Sequence, residues 1–334
     1  MSAEKVTVAW IDDDPDRKED AENLIIPDKM DVVSFGPQEL LDKLTPQKPV
    51  ADLFLVDYFL NQFKKAGEVP FQYKGLAVGN RIREVHPEHP IYAVSGKDEL
   101  FQTQRFAAQN TFDRLFHLKD LQRDGKRILY HDALDYRRIR NTRIGTSSIQ
   151  AVLQLLKGPE SCKETLLEVL PEELHNGLTT QSTSLQLARW VMRELLALEG
   201  VVYSLEYAAT HLGMTSDTFA NPRISQIFLG AKYEGIFTNT FDSRWWVSEL
   251  DRIVVEEARL KSLRGGNINV LAPKVCGIKA DGLARCRVCK KPYPETMALE
   301  GSKSIPVHFR CSIRYPKKKK ALFYDETRKP VYQS

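Results

Sequence analysis

Residues 6–16 read VTVAWIDDDPD: a six-residue run rich in β-branched side chains that stops at three consecutive aspartates. A short, nearly continuous run of this kind is a strand buried on both faces, because an edge or half-exposed strand would alternate apolar with polar residues. Similar runs follow outward along the chain at MDVVSF (30–35), ADLFLV (51–56), IYAVS (91–95) and TFDRLF (111–116). Between them lie helix-like stretches at 15–25, 37–44, 75–85 and 98–109. Strands that alternate with helices predict an α/β domain, a doubly wound five-stranded parallel sheet covered on both faces. Such sheets place their ligands beyond the carboxyl ends of the strands.

The residues at those ends carry the chemistry. Asp12, Asp13 and Asp14 follow the first strand, Asp57 the third, Ser95 the fourth, and Lys119 lies just past the fifth. Carboxylates gathered in one crevice repel one another unless a cation shares the site. Carboxylate, carbonyl and water oxygens suit Mg²⁺, which takes few protein ligands and leaves positions for phosphate oxygens. A hydroxyl and an ammonium beside it complete a phosphoryl site, one by hydrogen bonding and one by neutralising charge.

This arrangement resembles the receiver domain of two-component response regulators, over about residues 4–122. The residues that carry the resemblance are Asp12 and Asp13 in IDDDPD, Asp57 in LFLVDYFL, Ser95 in AVSGKDE and Lys119 in FHLKD, and GLAVGNRIRE (75–84) looks like the third helix of that family. The resemblance implies a flavodoxin-like fold in which Asp57 accepts a phosphoryl group from a histidine kinase or phosphotransfer protein. It implies that Asp12, Asp13, Asp57 and the carbonyl of Phe59 hold Mg²⁺, and that Ser95 and Lys119 contact the phosphoryl oxygens. Phe116, three residues before the lysine, matches the switch aromatic. Asp120 stands where the family usually has a proline, and 17 residues (58–74, with Lys64, Lys65 and Tyr73) separate Asp57 from the GLAVGN stretch.

The whole chain has 334 residues, 42% hydrophobic and 28% charged, which is the make-up of a globular protein with room for two or three domains. No apolar run approaches the roughly 18 residues of a membrane span. The start, MSAEKVTVAW, lacks an export signal, so a cytoplasmic protein without membrane contact is expected. Residues 1–120 carry 15 basic against 21 acidic side chains, the middle 121–264 is balanced, and 265–334 carries 15 against 5. These shifts predict a receiver at 1–122, a helical linker at 123–182, an all-α domain at 183–264 and a basic zinc-binding module at 265–334.

In the middle, FDSRWWVSELDRIVVEEARLKSL (241–263) reads as the strongest helix, capped by Asp242 or Ser243, with Trp245 and Trp246 on different faces and one of them in the core. SLQLARWVMRELLALEG (184–200) reads as another helix, ending at its glycine. Residues 205–237 offer a helix-turn-helix pattern, but hold only Arg223 and Lys232 against Glu206, Asp217 and Glu234, too little positive charge for a segment that meets phosphates. A bundle packing an apolar face is the preferred reading.

The tail holds CRVC (286–289) and HFRC (308–311), separated by 18 residues. Cys286, Cys289, His308 and Cys311 make four soft ligands at the spacing of a closed structural Zn²⁺ site, with His308 and Cys311 expected on one face of a helix. Knuckle, hairpin and helix together resemble a treble-clef finger. A module of about 40 residues has too small a core to fold unaided, which a metal would remedy. Lys317–Lys320 and the cations around the site could meet nucleic acid.

Taken together, the sequence predicts a response-regulator-like signalling protein, a phosphoacceptor and binding protein and not an enzyme, whose C-terminal region engages a protein partner. The alternatives are a DNA-binding regulator acting through 205–237 and the basic tail, and a degenerate receiver serving as an adaptor in a bacterial conflict (anti-phage) system.

Overall fold

A computed structural model of the chain describes residues 5–14, 17–46, 49–60, 75–96, 111–145, 148–259, 267–292, 297–300, 305–314 and 327–330. Strands β1 (Val6–Ile11), β2 (Met30–Phe35), β3 (Leu53–Asp57), β4 (Ile91–Ser95) and β5 (Arg114–His117) form one sheet. Its order is β2-β1-β3-β4-β5, and every pair is parallel. This is the flavodoxin-like order, whose direction reverses between β1 and β3. Helices α1 (Lys18–Glu22), α2 (Pro37–Lys43), α3 (Gly75–Val85) and α4 (Leu118–Gly145) accompany it. The helix expected at 98–109 and the loop residues 61–74 lie outside the described residues.

The continuous apolar runs follow from burial on both faces. Alternate residues of β3 feed opposite cores: Phe54 and Val56 pack with Ala9, Ile11, Val78 and Ile82, while Leu53 and Leu55 pack with Val8, Trp10, Tyr92 and Phe116. Each such side chain contributes about 1.5–3 kcal/mol on leaving water, so the two cores together fix where the strand ends fall.

At the opposite, amino-terminal edge of the sheet, Arg83 of α3 clamps the turn before β4. Its Nη1 donates to the carbonyls of Pro87 and His89, 2.8 Å each, and its Nη2 donates to Asp113 at 2.6 Å. The clamp encloses His86 and His89, whose rings lie 5.2 Å apart against Phe54. Both nitrogens of His89 are buried without a hydrogen-bond partner among the described residues. Burial, then the charge of Arg140, pushes the His89 imidazole down to about 2.

The chain divides into two compact units, one of Met1–Ala151 with Asn176–Arg189, the other of Val152–His175 with Trp190–Ser334. Helix α4 runs unbroken through residue 122, where the sequence suggests a boundary. Helices α5 (Ile149–Leu156), α6 (Lys163–Val169) and α7 (Gln181–Trp190) follow, and α7 passes into a π-helical turn at Val191–Leu195, short of the expected end at Gly200. The rest of the middle is β6 (Val202–Tyr203), α8 (Leu205–His211), α9 (Ser216–Ala220), α10 (Pro222–Ile227), β7 (Trp245–Trp246), α11 (Val247–Glu257) and α12 (Ile268–Val275). It is helical apart from the short ribbon of β6 and β7.

One expectation for this region is corrected, and the apolar packing preferred for 205–237 is found. The tryptophan pair does not open a helix: it forms β7, antiparallel to β6, and both indoles are buried. Two adjacent bulky aromatics gain more from a strand bridging two packed layers than from a helix that would turn one outward, and α11 starts only at Val247, without a side-chain cap. In the 205–237 segment the second helix has five residues and stops before Asn221-Pro222. Phe219, Ile224 and Phe228 there are core residues with Trp245, Leu250 and Val254.

The unfolded chain protonates His89 near its ordinary value, and the folded unit resists protonation until about pH 2. Stability therefore falls as pH drops below about 6.5, by up to about 1.4 kcal/mol per pH unit for this group. Thermal melts between pH 7 and 4.5 check this. His89→Phe, which keeps the ring and removes the unpaired nitrogens, is expected to flatten the slope.

Candidate functional site

Asp12 follows β1 and Asp57 ends β3, the two strands that flank the reversal of strand order. Carboxylate oxygens of Asp12, Asp13 and Asp57 all lie within 4.8 Å of one another. Local bonds aim them. The indole N–H of Trp10 donates to Asp12 Oδ2 at 3.2 Å, and the amide of Asp14 donates to Asp12 Oδ1 at 2.9 Å. The amide of Phe59 donates to Asp57 Oδ1 at 3.2 Å.

Gly75, the first residue of α3, seals this end of the sheet. A Cβ there would meet the Asp57 carbonyl at 2.2 Å, so only glycine lets α3 approach β3 so closely. The amide of Gly75 donates to the Tyr58 carbonyl at 3.3 Å.

Burial pushes the Asp57 carboxyl up to about 7, and the charges of Asp12 and Asp13 add to it. The Phe59 amide and Arg17 pull the other way without cancelling the effect. Asp12 is raised as well, mainly by burial. Three oxygen ligands crowded until one resists ionisation are the donor set of a hard divalent cation, and Mg²⁺ fits.

Ser95 ends β4 and is buried, one strand over from Asp57 and in register with His117 of β5. Lys119 stands in the first turn of α4 with its side chain exposed, and it forms no ion pair among the described residues. The structure thus gathers the three aspartates and gives no contact between them and the exposed Lys119 among the described residues. Asp120, the departure from the usual proline, pairs with Arg123 at 3.2 Å. Phe116 is buried against Tyr92, ring centroids 5.7 Å apart, and the Arg114 guanidinium lies 5.0 Å over its ring.

The second cluster lies in the other unit. Sulfurs of Cys286, Cys289 and Cys311 and a ring nitrogen of His308 converge within 4.8 Å. Residues 286–289 turn as a knuckle: the Lys290 amide donates to the Cys286 carbonyl at 2.9 Å, and Lys290 takes a left-handed φ of 63°. The His308 amide donates to Cys286 Sγ at 3.4 Å, and Cys289 Sγ lies 3.2 Å from His308 Nδ1. His308 Nε2 donates to the Pro292 carbonyl at 3.4 Å, which leaves Nδ1 facing the sulfurs as a ligand nitrogen should. Burial raises the Cys286 thiol, but amides of Cys289, His308 and Val288 outweigh it and leave it lowered. Burial, then the Cys286 charge, pushes Cys311 up to about 11. Three thiol sulfurs and one imidazole nitrogen so gathered fit Zn²⁺.

The expected hairpin is present as antiparallel strands β8 (Met297–Glu300) and β9 (Ile305–His308). The expected helix carrying His308 and Cys311 is not. His308 ends β9, Cys311 closes a 3₁₀ turn (Phe309–Cys311), and strand β10 (Ser312–Arg314) follows and pairs with β11 (Thr327–Pro330). A single tight turn suffices to bring ligands three apart to one ion. Lys317–Lys320 lie outside the described residues.

Sequence reasoning missed Trp10, Gly75 and Pro292 as supports of these sites. Glycine at the start of GLAVGN and proline after CRVCKK were the available signals; nothing in the sequence marks Trp10 as a hydrogen-bond donor to Asp12.

No protein-family model and no curated protein matches the chain. Solved structures similar to part of it include three described as response regulators or receiver domains. A CheY-like response regulator receiver domain protein from Methanospirillum hungatei is 16% identical, covering 37% of this chain and 92% of that one, with a TM-score of 0.29. The receiver domain of NtrX from Brucella abortus is 18% identical, covering 36% and 95%, with a TM-score of 0.28. A two-component response regulator from Clostridium difficile is 18% identical, covering 37% and 96%, also at 0.28. The fold assignment stands on the strand order itself. No helix among the described residues is long and apolar enough to cross a membrane.

Proposed function

We propose that the first unit is a receiver that accepts a phosphoryl group on Asp57 from a phosphohistidine of a histidine kinase or phosphotransfer protein. The observation that carries this reading is the convergence of Asp12, Asp13 and Asp57 at the switch point, with Asp57 pushed up to about 7. Mg²⁺ held by these three and the Phe59 carbonyl would offset their charge and that of the incoming phosphoryl group. An Asp57 oxygen attacks phosphorus, the P–O bond forms as the P–N bond breaks, and the imidazole leaves as it takes up a proton. Ser95 donates to a phosphoryl oxygen. In this reading Lys119, in the first turn of α4 and without an ion pair among the described residues, would neutralise a phosphoryl oxygen. Phe116, packed between Tyr92 and Arg114, is placed to register the change.

In this reading the second unit is the output. A structural Zn²⁺ on Cys286, Cys289, His308 and Cys311 holds its C-terminal part, and a protein partner binds there. The helical segment 205–227 gives the DNA-binding alternative no support, since its helices are short and its apolar side chains are spent on the core.

Incubation with Mg²⁺ and acetyl phosphate, followed by intact mass, tests the input: wild type gains one phosphoryl group, and Asp57→Asn gains none. No adduct on wild type would leave a receiver fold kept for docking. Native mass spectrometry tests the zinc site. A single zinc ion is expected on the wild-type chain and none on Cys286→Ser, with a drop in stability of several kcal/mol in the second unit. Freely titrating thiols in metal-replete wild type would sink the assignment.

A further inference from the structure

A pocket of about 530 Å³ opens on the second unit, away from the Cys/His cluster and unused by the proposed phosphotransfer. It lies between the turn that ends α5 and the stretch 226–234. Its size falls within the roughly 300–1,000 Å³ typical of small-molecule sites.

The walls are held in place by backbone. Lys157 adopts φ 48°, a left-handed conformation that non-glycine residues seldom take, and its amide donates to the Gln154 carbonyl at 3.2 Å. Lys232 is fixed by its amide bond to the Leu229 carbonyl, 3.1 Å, and by a β-bridge to Trp245. Trp246 forms part of the lining at 2% exposure, and its indole N–H has no acceptor among the described residues. Leu229, by contrast, is 51% exposed, although its neighbours Phe228 and Ala231 are fully buried.

The polar groups of the lining are mostly donors. Lys157 meets Glu234 at 3.5 Å, the one ion pair of the lining among the described residues. Lys232 has no charged partner among the described residues, and the Gln226 amide makes no hydrogen bond with one. With Lys157 and Glu234 paired, Lys232 is the lining cation that no carboxylate among the described residues answers. A neutral ligand would leave Lys232 unanswered, and a fully hydrated anion would leave Leu229 bare.

We infer that this pocket binds a small organic anion, a carboxylate or phosphate carried on a flat apolar body, with the charge at Lys232 and the apolar part against Leu229. The chemistry is independent of the phosphoryl site, so failure of either leaves the other standing.

Saturation-transfer NMR and tryptophan fluorescence on the full chain test it with two matched pairs: 2-naphthoate against 2-naphthamide, and AMP against adenosine. At least one anion is expected to bind, with its neutral partner weaker by roughly tenfold or more. A response to AMP alone assigns a phosphate ligand, and to naphthoate alone a carboxylate. Lys232→Met and Leu229→Asp, both at solvent-accessible positions, are each expected to weaken the anion by roughly tenfold without shifting the melting temperature. The inference is overturned if neither anion binds, if the neutral partners bind equally well, or if both variants bind as wild type does.

Discussion

Mutual repulsion among three carboxylates governs the first unit. Asp12, Asp13 and Asp57 would relax apart in a flexible chain, and they stay within 4.8 Å because β1 and β3 are buried on both faces. The close seating of α3 at Gly75 fixes the end of β3, and Trp10, Phe59 and Asp14 aim individual oxygens. The cost appears at Asp57, pushed up to about 7. An arrangement that crowds charge at the expense of its own ionisation is one that a cation stabilises.

The same logic, with softer ligands, runs through the second unit. Cys286, Cys289, Cys311 and His308 crowd until Cys311 is pushed up to about 11, while backbone amides favour the thiolate of Cys286. Among the described residues Val307 and Ala284 are the buried apolar residues packed with Cys286, too few to hold four strands and a knuckle together by burial alone. Short bonds link the cluster to the helices: the Ala284 amide donates to Gly213, and the Thr215 amide to Gly282. Gly213, at φ 74°, is where the chain passes Asn269 too closely for any side chain.

Much of this was legible in the sequence because the features are short-range. Continuous β-branched runs read as doubly buried strands, and aspartates just past two of them fell together once the strands were parallel. The CxxC knuckle was legible for the same reason. What failed was decided by tertiary packing. Trp245 and Trp246 sit where helix periodicity fits, yet pairing with Val202 and Tyr203 buries both indoles. His308 and Cys311 fit a helix by spacing, yet a strand end and a 3₁₀ turn present them equally well. The π-helical turn at Val191–Leu195 inserts a residue that no periodicity argument anticipates.

Magnesium titration by calorimetry bears most directly on the claim that the three carboxylates form one cation site. One ion in the first unit is predicted, with affinity rising between pH 6 and 8 as the Asp57 carboxyl loses its proton, and with binding abolished in both Asp13→Asn and Asp57→Asn. Absence of binding in wild type, or wild-type affinity in either variant, would contradict it.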